Sequence, residues 1–203
     1  MPLDEMQAPG AVLAGLVEAV HQRSSALRGD DLGDYVGSEL LAVNRVLARV
    51  QAEGLARGPL FCEWGSGLGG ACGVAVLNGF SSFGIEIQRE LVDSARSLAK
   101  DLELAMVFAE GTFLLPGDED LAFAMKHTRP AFDRHAWDEL GLAPGECDVV
   151  FAYPWPGEEA CVDDVFARHA SPGALLSTFH DWDRVLVQRK LAGNEKLLPL
   201  GWM

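Results

Sequence analysis

Basic residues are scarce in this chain. Sixteen Lys+Arg stand against thirty Asp+Glu, giving a formal net charge of −14 at pH 7. A surface of that sign repels phosphate backbones, and no Lys/Arg run offers a local exception, so nucleic acid is disfavoured as a partner. Cysteine is scarce too. Cys62, Cys72, Cys147 and Cys161 are widely spaced and form no C-x-x-C pair, which argues against zinc ribbons and thioredoxin-type chemistry. No apolar run approaches the ~18 residues of a membrane span. The opening MPLDEMQAPG lacks the basic-then-apolar order of a secretory signal. Together these absences indicate a cytoplasmic chain with reduced, mostly buried thiols. No metal is expected, because His127, His135 and His169 lack ligand spacing with acids or each other.

Apolar residues are plentiful. They make up 49% of 203 residues, with 23% charged, enough for a core that needs neither metal nor disulfide. The length suits one domain, or one domain with an extension. Leu13, Leu16, Val17 and Val20 recur at i, i+3, i+4, i+7, and Val43, Val46, Leu47 and Val50 repeat the spacing. Each set marks an apolar helix face. Residues 1–58 are therefore expected to be a helical extension packed on the core. Ser38 is the expected N-cap of its second helix, and Arg57-Gly58-Pro59 its end.

From Leu60 the pattern changes. Short apolar runs at 60–62, 82–87, 105–108, 148–152 and 174–179 read as strands. Helices are expected at about 71–78, at 91–99 and within 131–140. Strands alternating with helices predict an α/β fold over 59–203, a doubly wound, mostly parallel Rossmann-like sheet. The alternation from Arg184 to Leu191 adds a strand, expected to pair with Lys196–Trp202. A missing or swapped strand there would leave an open edge and favour an oligomer. The segment from Leu114 to Glu146 is long for a crossover, and such segments often cover active sites.

The most informative stretch is Glu63-Trp64-Gly65-Ser66-Gly67-Leu68-Gly69-Gly70. It lies between a strand and a helix, where glycine lets backbone approach a ligand and the helix start adds amides and dipole. Gly65, Gly67 and Gly70 satisfy G-x-G-x-x-G, the dinucleotide fingerprint. Glu63, Gly65, Gly67 and Gly69 satisfy [DE]-x-G-x-G-x-G. In this the chain resembles the class I S-adenosylmethionine-dependent methyltransferases. The resemblance implies that Glu63 sits near the charged amino group of S-adenosyl-L-methionine, where a carboxylate suits a cation and would sit badly beside a pyrophosphate. Glu86, at the end of the second strand, can accept both ribose hydroxyls in methyltransferases and NAD enzymes alike. The family also places a polar residue near the adenine amino group, a role open here to Glu110 or Thr112. Tyr35-Val36-Gly37-Ser38 is similar to a loop that closes over the cofactor in some protein-lysine methyltransferases, with Tyr35 leading it.

The fourth strand runs into Tyr153-Pro154-Trp155-Pro156-Gly157-Glu158, beyond a strand's carboxyl end, where doubly wound sheets bind ligands. The loop resembles the [NDS]-P-P-[YFW] motif of amino-group methyltransferases. It departs from that motif, because Tyr153 replaces the polar residue and Trp155 the second proline. Tyr153 and Trp155 are the expected catalytic pair, walling a cationic nitrogen by cation–π contact. Pro154, Pro156 and Glu158 are expected to bind the acceptor, an amine on a protein or small molecule. Two other readings stay open: an NAD-binding oxidoreductase, for which no Tyr-x-x-x-Lys motif speaks, and a non-catalytic cofactor-binding partner subunit.

Overall fold

The computed structural model describes residues 9–27, 36–125, 136–180, 184–193 and 196–203. Seven strands form one sheet in the order β3-β2-β1-β4-β5-β6-β7. They are β1 (Leu60–Trp64), β2 (Ser81–Glu86), β3 (Met106–Glu110), β4 (Val149–Ala152), β5 (Leu175–His180), β6 (Arg184–Lys190) and β7 (Leu197–Trp202). The first five run parallel; β6 and β7 are antiparallel additions at one edge. The strand order reverses between β1 and β4, and a doubly wound sheet opens its ligand crevice at that point. Ligand chemistry should therefore gather where β1, β2 and β4 end, at Trp64, Glu86 and Ala152.

Helices cover both faces, so the central strands read as continuous apolar runs, Val149-Val150-Phe151-Ala152 being fully buried. Phe61, Phe151 and Phe179 point into one core with α1 (Pro9–Ala26), α2 (Leu40–Ala52), α3 (Gly70–Leu77) and α4 (Arg89–Asp101). Cys62, Trp64, Val150 and Leu176 point into the other. It is closed by α5 (Glu119–Ala124), α6 (Trp137–Leu140) and α7 (Glu159–His169). All four cysteines are free and buried.

The two N-terminal helices dock on α3 because α3 is built from small residues. A Cβ added at Gly73 would lie 2.8 Å from both Leu16 Cδ atoms, and one at Gly70 2.9 Å from Leu40 Cδ2. The missing side chains are what let α1 and α2 approach so closely. Leu16 and Leu47 are completely buried as a result.

Local structure corrects the sequence reading in two places. Ser38 is not the N-cap of α2. Glu39 is, its carboxylate accepting from Leu41 N at 3.0 Å and Ala42 N at 2.6 Å, where a negative group also suits the helix dipole. The helix ends at Ala52, short of Arg57-Gly58-Pro59. Gly54 adopts φ +60°, Gly54 N donates to Gln51 O and Leu55 N to Val50 O, the paired bonds of a glycine-terminated helix end. Within the 131–140 segment α6 spans Trp137–Leu140, and residues 131–135 lie outside those described. The terminal hairpin is complete, with Leu186 opposite Trp202 and Lys190 opposite Leu197. Pro199 on outermost β7 is the kind of residue that blunts an edge.

Leu47→Ala should cost about 2–5 kcal/mol, the range for deleting a buried leucine side chain. Denaturant unfolding followed by near- and far-ultraviolet circular dichroism should remain one coincident transition. A separate early transition would mean that α2 folds apart from the sheet.

Candidate functional site

β1 leaves the sheet at Trp64, and the chain must turn at once to start α3. Gly65, Gly67 and Gly69 adopt φ of +72°, +50° and +77°, a region where side chains other than glycine are strained. Gly69 is doubly constrained, since an added Cβ would meet Phe108 Cζ at 2.5 Å. The turn is held from below: Gly65 N and Ser66 N both donate to Ile85 O at 2.9 Å, and Gly69 N donates to Ser66 O at 2.7 Å.

Three acidic residues end three adjacent strands here. Glu63 is buried and accepts from Cys72 N at 3.1 Å, joining β1 to α3. Burial pushes its carboxyl up to about 8, against the pull of hydrogen bonds from Cys72 and with a further push from Glu86. Glu86, also buried, accepts from Gly67 N at 2.8 Å and Gln88 N at 2.9 Å. Its pKa is raised by desolvation, partly offset by the amides of Gln88, Gly67 and Ile87. A carboxylate offers about four lone-pair positions, so Glu86 brackets the turn and keeps accepting capacity. Glu110 stands beside Glu86 in register, at the end of β3, with Arg89 Nε 4.0 Å from its carboxylate. Thr112 is buried and its hydroxyl accepts from Leu114 N at 3.1 Å, so it braces the next turn.

A narrow cleft of about 30 Å3 opens above this turn. Glu63, Gly65, Ser66, Gly70 and Ala71 form its floor; Val20, Val36, Gly37, Ser38 and Leu40 form one wall, and Tyr153 another. Ser66 Oγ is buried, with no hydrogen-bond partner among the described residues, and such an atom calls for a partner from water or a ligand. Glu63 makes a similar demand: a carboxyl kept neutral only by burial would ionise beside a cation. The added Cβ of Gly65 would meet nothing within 4 Å, so the backbone there is open to a close approach. The cleft thus offers an acidic group suited to a cationic amine beside open backbone, while Glu86 lies next to the same turn, bound to Gly67 N and Gln88 N.

The sequence-derived acceptor residues separate in space. Tyr153 lines the cleft, its ring edge-on to Phe179 with centroids 4.9 Å apart. Pro154 is buried, Trp155 half-buried and Pro156 exposed; Trp155 O accepts from Glu158 N at 2.8 Å, which closes the loop on itself. Glu158, expected to meet an amine in solution, is instead buried at the N-cap of α7, drawn in because the tight turn leads straight into that helix. Glu159 is also engaged, accepting from Gly157 N at 2.8 Å. Tyr35 lies outside the described residues, as do His127 and His135. The three residues after Tyr35, Val36 to Ser38, do line the cleft.

Sequence reasoning passed over Ser66, Val20 and Leu40. Ser66 was visible as the one hydroxyl among the glycines. Val20 and Leu40 belong to helices whose approach to the turn depends on tertiary packing. The described parts of the 114–146 crossover pack against the other face of the sheet. Phe113 stacks on Trp64 at 4.8 Å, and Trp137 Nε1 donates to Phe113 O. Asp118, fully buried, accepts from Leu115 N and Arg168 Nη1 and pairs with His169 Nε2.

A carboxyl raised by burial binds its proton more tightly in the folded chain than in the unfolded one. The ligand-free protein should therefore lose stability as pH rises from about 4.5 toward 8, the two ends of the Glu63 shift. Thermal unfolding across that window should show the decline, and Glu63→Gln should reduce its slope.

No family model matches this chain, and no curated protein matches it. Solved structures do. An O-methyltransferase from Bacillus cereus in complex with SAH is 16% identical at a TM-score of 0.51, over 87% of this chain and 68% of that one. Cofactor-bound Rv0187 from MTB is 17% identical at a TM-score of 0.52, over 87% and 67%. Sheet order, the glycine turn at the switch point and these likenesses agree: the chain has the class I S-adenosylmethionine-dependent methyltransferase fold.

Proposed function

We propose that this protein is an S-adenosyl-L-methionine-dependent methyltransferase that acts on an amine. The observation that carries the reading is the buried Glu63 carboxyl beside the orphaned Ser66 hydroxyl, at the floor of a cleft built on three left-handed glycines. A dinucleotide pyrophosphate would place negative charge against Glu63, which disfavours the oxidoreductase reading. Residues 59–203 are the methyltransferase unit, and residues 1–58 are an extension that supplies part of the cofactor wall.

When bound, S-adenosylmethionine supplies an electrophilic methyl group on a sulfonium. In our assignment Glu63 holds the amino group of its methionine end, with Gly65, Gly67 and Gly69 letting the backbone lie against it. Glu86 holds the ribose diol, and Glu110 or Thr112 serves the adenine amino group. Tyr153 faces the acceptor, with Trp155, Pro154 and Pro156 shaping the loop around it; Glu158 braces that loop from beneath. Transfer to a neutral amine needs alignment and exclusion of water more than a general base, and an aromatic wall on a proline-stiffened strand end provides both. Small molecules and proteins are both within reach as substrates. The exposed Tyr153 and the −14 net charge favour neutral or cationic groups arriving at the cleft. Among the described residues no helix is long and apolar enough to cross a membrane.

Isothermal titration with S-adenosylmethionine, S-adenosylhomocysteine and NAD should show binding of the two sulfur nucleotides and not of NAD. Below about pH 8 the free Glu63 carboxyl carries a proton, and a cationic partner requires it ionised. Binding should therefore release a proton, and affinity should rise toward pH 8, by up to about tenfold per pH unit. Titrations at pH 6.5 in buffers of different ionisation enthalpy measure that proton directly. Glu63→Gln should abolish its release. Glu86→Gln should weaken binding by about 1.5–3 kcal/mol for a lost charge-assisted hydrogen bond. NAD binding alone would replace this reading with the oxidoreductase. Cofactor binding without methyl transfer to any amine would favour a non-catalytic subunit.

A further inference from the structure

The mouth of the cleft is uncharged, although the protein carries a net charge of −14. Of the residues that line the cleft, Val36, Gly37, Gly65 and Tyr153 are exposed and form its mouth. Val36 is 55% exposed and Tyr153 37%, two of the large apolar side chains that this surface leaves in water. Val20 and Leu40 continue the lining inward, and buried Glu63 is the one acid among the described lining residues. No lysine or arginine is among them. Three described glutamates follow Val36 or Tyr153 closely in sequence, and each is committed elsewhere. Glu39 accepts from Leu41 N and Ala42 N. Glu158 is buried at the start of α7, and Glu159 accepts from Gly157 N. The ring of Tyr153 rests edge-on against buried Phe179, so the apolar surface has depth behind it.

A second charge on an acceptor would meet no partner at such a mouth, and taking it out of water there costs free energy that nothing offsets. An alkyl or aromatic group gains from the same contact. We propose that the acceptor is a small apolar monoamine, whose one polar group is the nitrogen that receives the methyl. The inference rests on the methyl-transfer reading and narrows it from amines in general. It also bears on the nucleophile. An alkylammonium holds its proton up to about pH 10 in water, and only the neutral amine has a lone pair to give. An apolar mouth favours the neutral form, so the ammonium gives its proton to solvent on entry and no side-chain base is needed. The net charge of −14 draws cations toward the protein over a range that salt screens; the local lining selects which of them stay.

The test compares the series from propylamine to octylamine with the α,ω-diamine and the ω-aminocarboxylate of each length, and with Nα-acetyl-lysine amide. Each is titrated calorimetrically into the full chain, with and without saturating S-adenosylhomocysteine. The monoamine should bind about threefold to fourfold more tightly per added methylene until the chain outgrows the mouth. It should bind about tenfold or more tightly than its doubly charged counterparts. With S-adenosylhomocysteine already bound, amine binding at pH 8 should release a proton, measured in buffers of different ionisation enthalpy. Val36→Asp puts a carboxylate at the mouth; it should erase the preference over the diamine and keep that over the aminocarboxylate. Tyr153→Ser should flatten the methylene series. The affinity for S-adenosylhomocysteine, measured in every variant, reports that the fold and cofactor cleft are intact. Equal or tighter binding of the diamine, the aminocarboxylate or the lysine amide by wild type overturns the proposal. So does a flat methylene series in wild type, or a complex with S-adenosylhomocysteine that binds none of the monoamines. Failure of S-adenosylhomocysteine to bind wild type overturns the methyl-transfer reading instead, and the titrations without it still report on the mouth.

Discussion

Everything at this site depends on holding a carboxyl group out of water where β1 turns into α3. Glu63 is buried on the strand, and its hydrogen bond from Cys72 N reaches across the turn to the first residues of the helix. Desolvation outweighs that bond and leaves the carboxyl with a pKa of about 8. A group so placed destabilises the free protein once ionised and gains most from a cation delivered into the cleft. The second carboxylate, Glu86, fixes the shape of the turn through Gly67 N and Gln88 N. The geometry of the glycine turn and the electrostatics of the cleft therefore have one origin. Carboxylates at the ends of neighbouring parallel strands brace a backbone that only glycine can follow.

Around that turn the packing is set by what α3 omits. Gly70 and Gly73 remove two side chains, and Leu40 and Leu16 occupy the space. That contact brings α1 and α2 over the switch point and turns Val20, Leu40 and the 36–38 segment into a wall of the cleft. On the opposite face the stack of Trp64 on Phe113 joins the segment after β3 to the sheet, and the buried Asp118 joins it to α7 through Arg168 and His169. One face of the sheet thus borders the cleft, while the other carries the described parts of the connecting segment.

The hairpin of β6 and β7 has a different effect. Antiparallel addition beside β5 carries Arg184 back to the carboxyl edge of the parallel strands. A cation and an indole from the last twenty residues thereby reach the end of the sheet where the glycine turn lies. That placement stacks the guanidinium of Arg184 on the Trp202 ring at the sheet's edge.

The parallel core was legible in the sequence because its physics is local. Continuous apolar runs such as Val149–Ala152 signal strands buried on both faces, and a glycine series between a strand and a helix signals a ligand turn. Glu63 and Glu86 could be singled out because their spacing from the glycines is set by strand and turn lengths. The end of α2 was misread because Gly54 outweighs a proline five residues on, and its cap because Glu39 reaches amides that Ser38 does not. What only the tertiary structure decided was contact between distant segments: that Val20 and Ser66 share a cleft, that Glu158 is drawn inside, and that Arg184 meets Trp202. The sequence by itself determined which strands are buried and where the backbone must turn left-handed, since steric limits and burial act on neighbouring residues. Which side chains meet at the sheet's edge depends on strand order and helix docking, and those follow from the sum of many distant contacts.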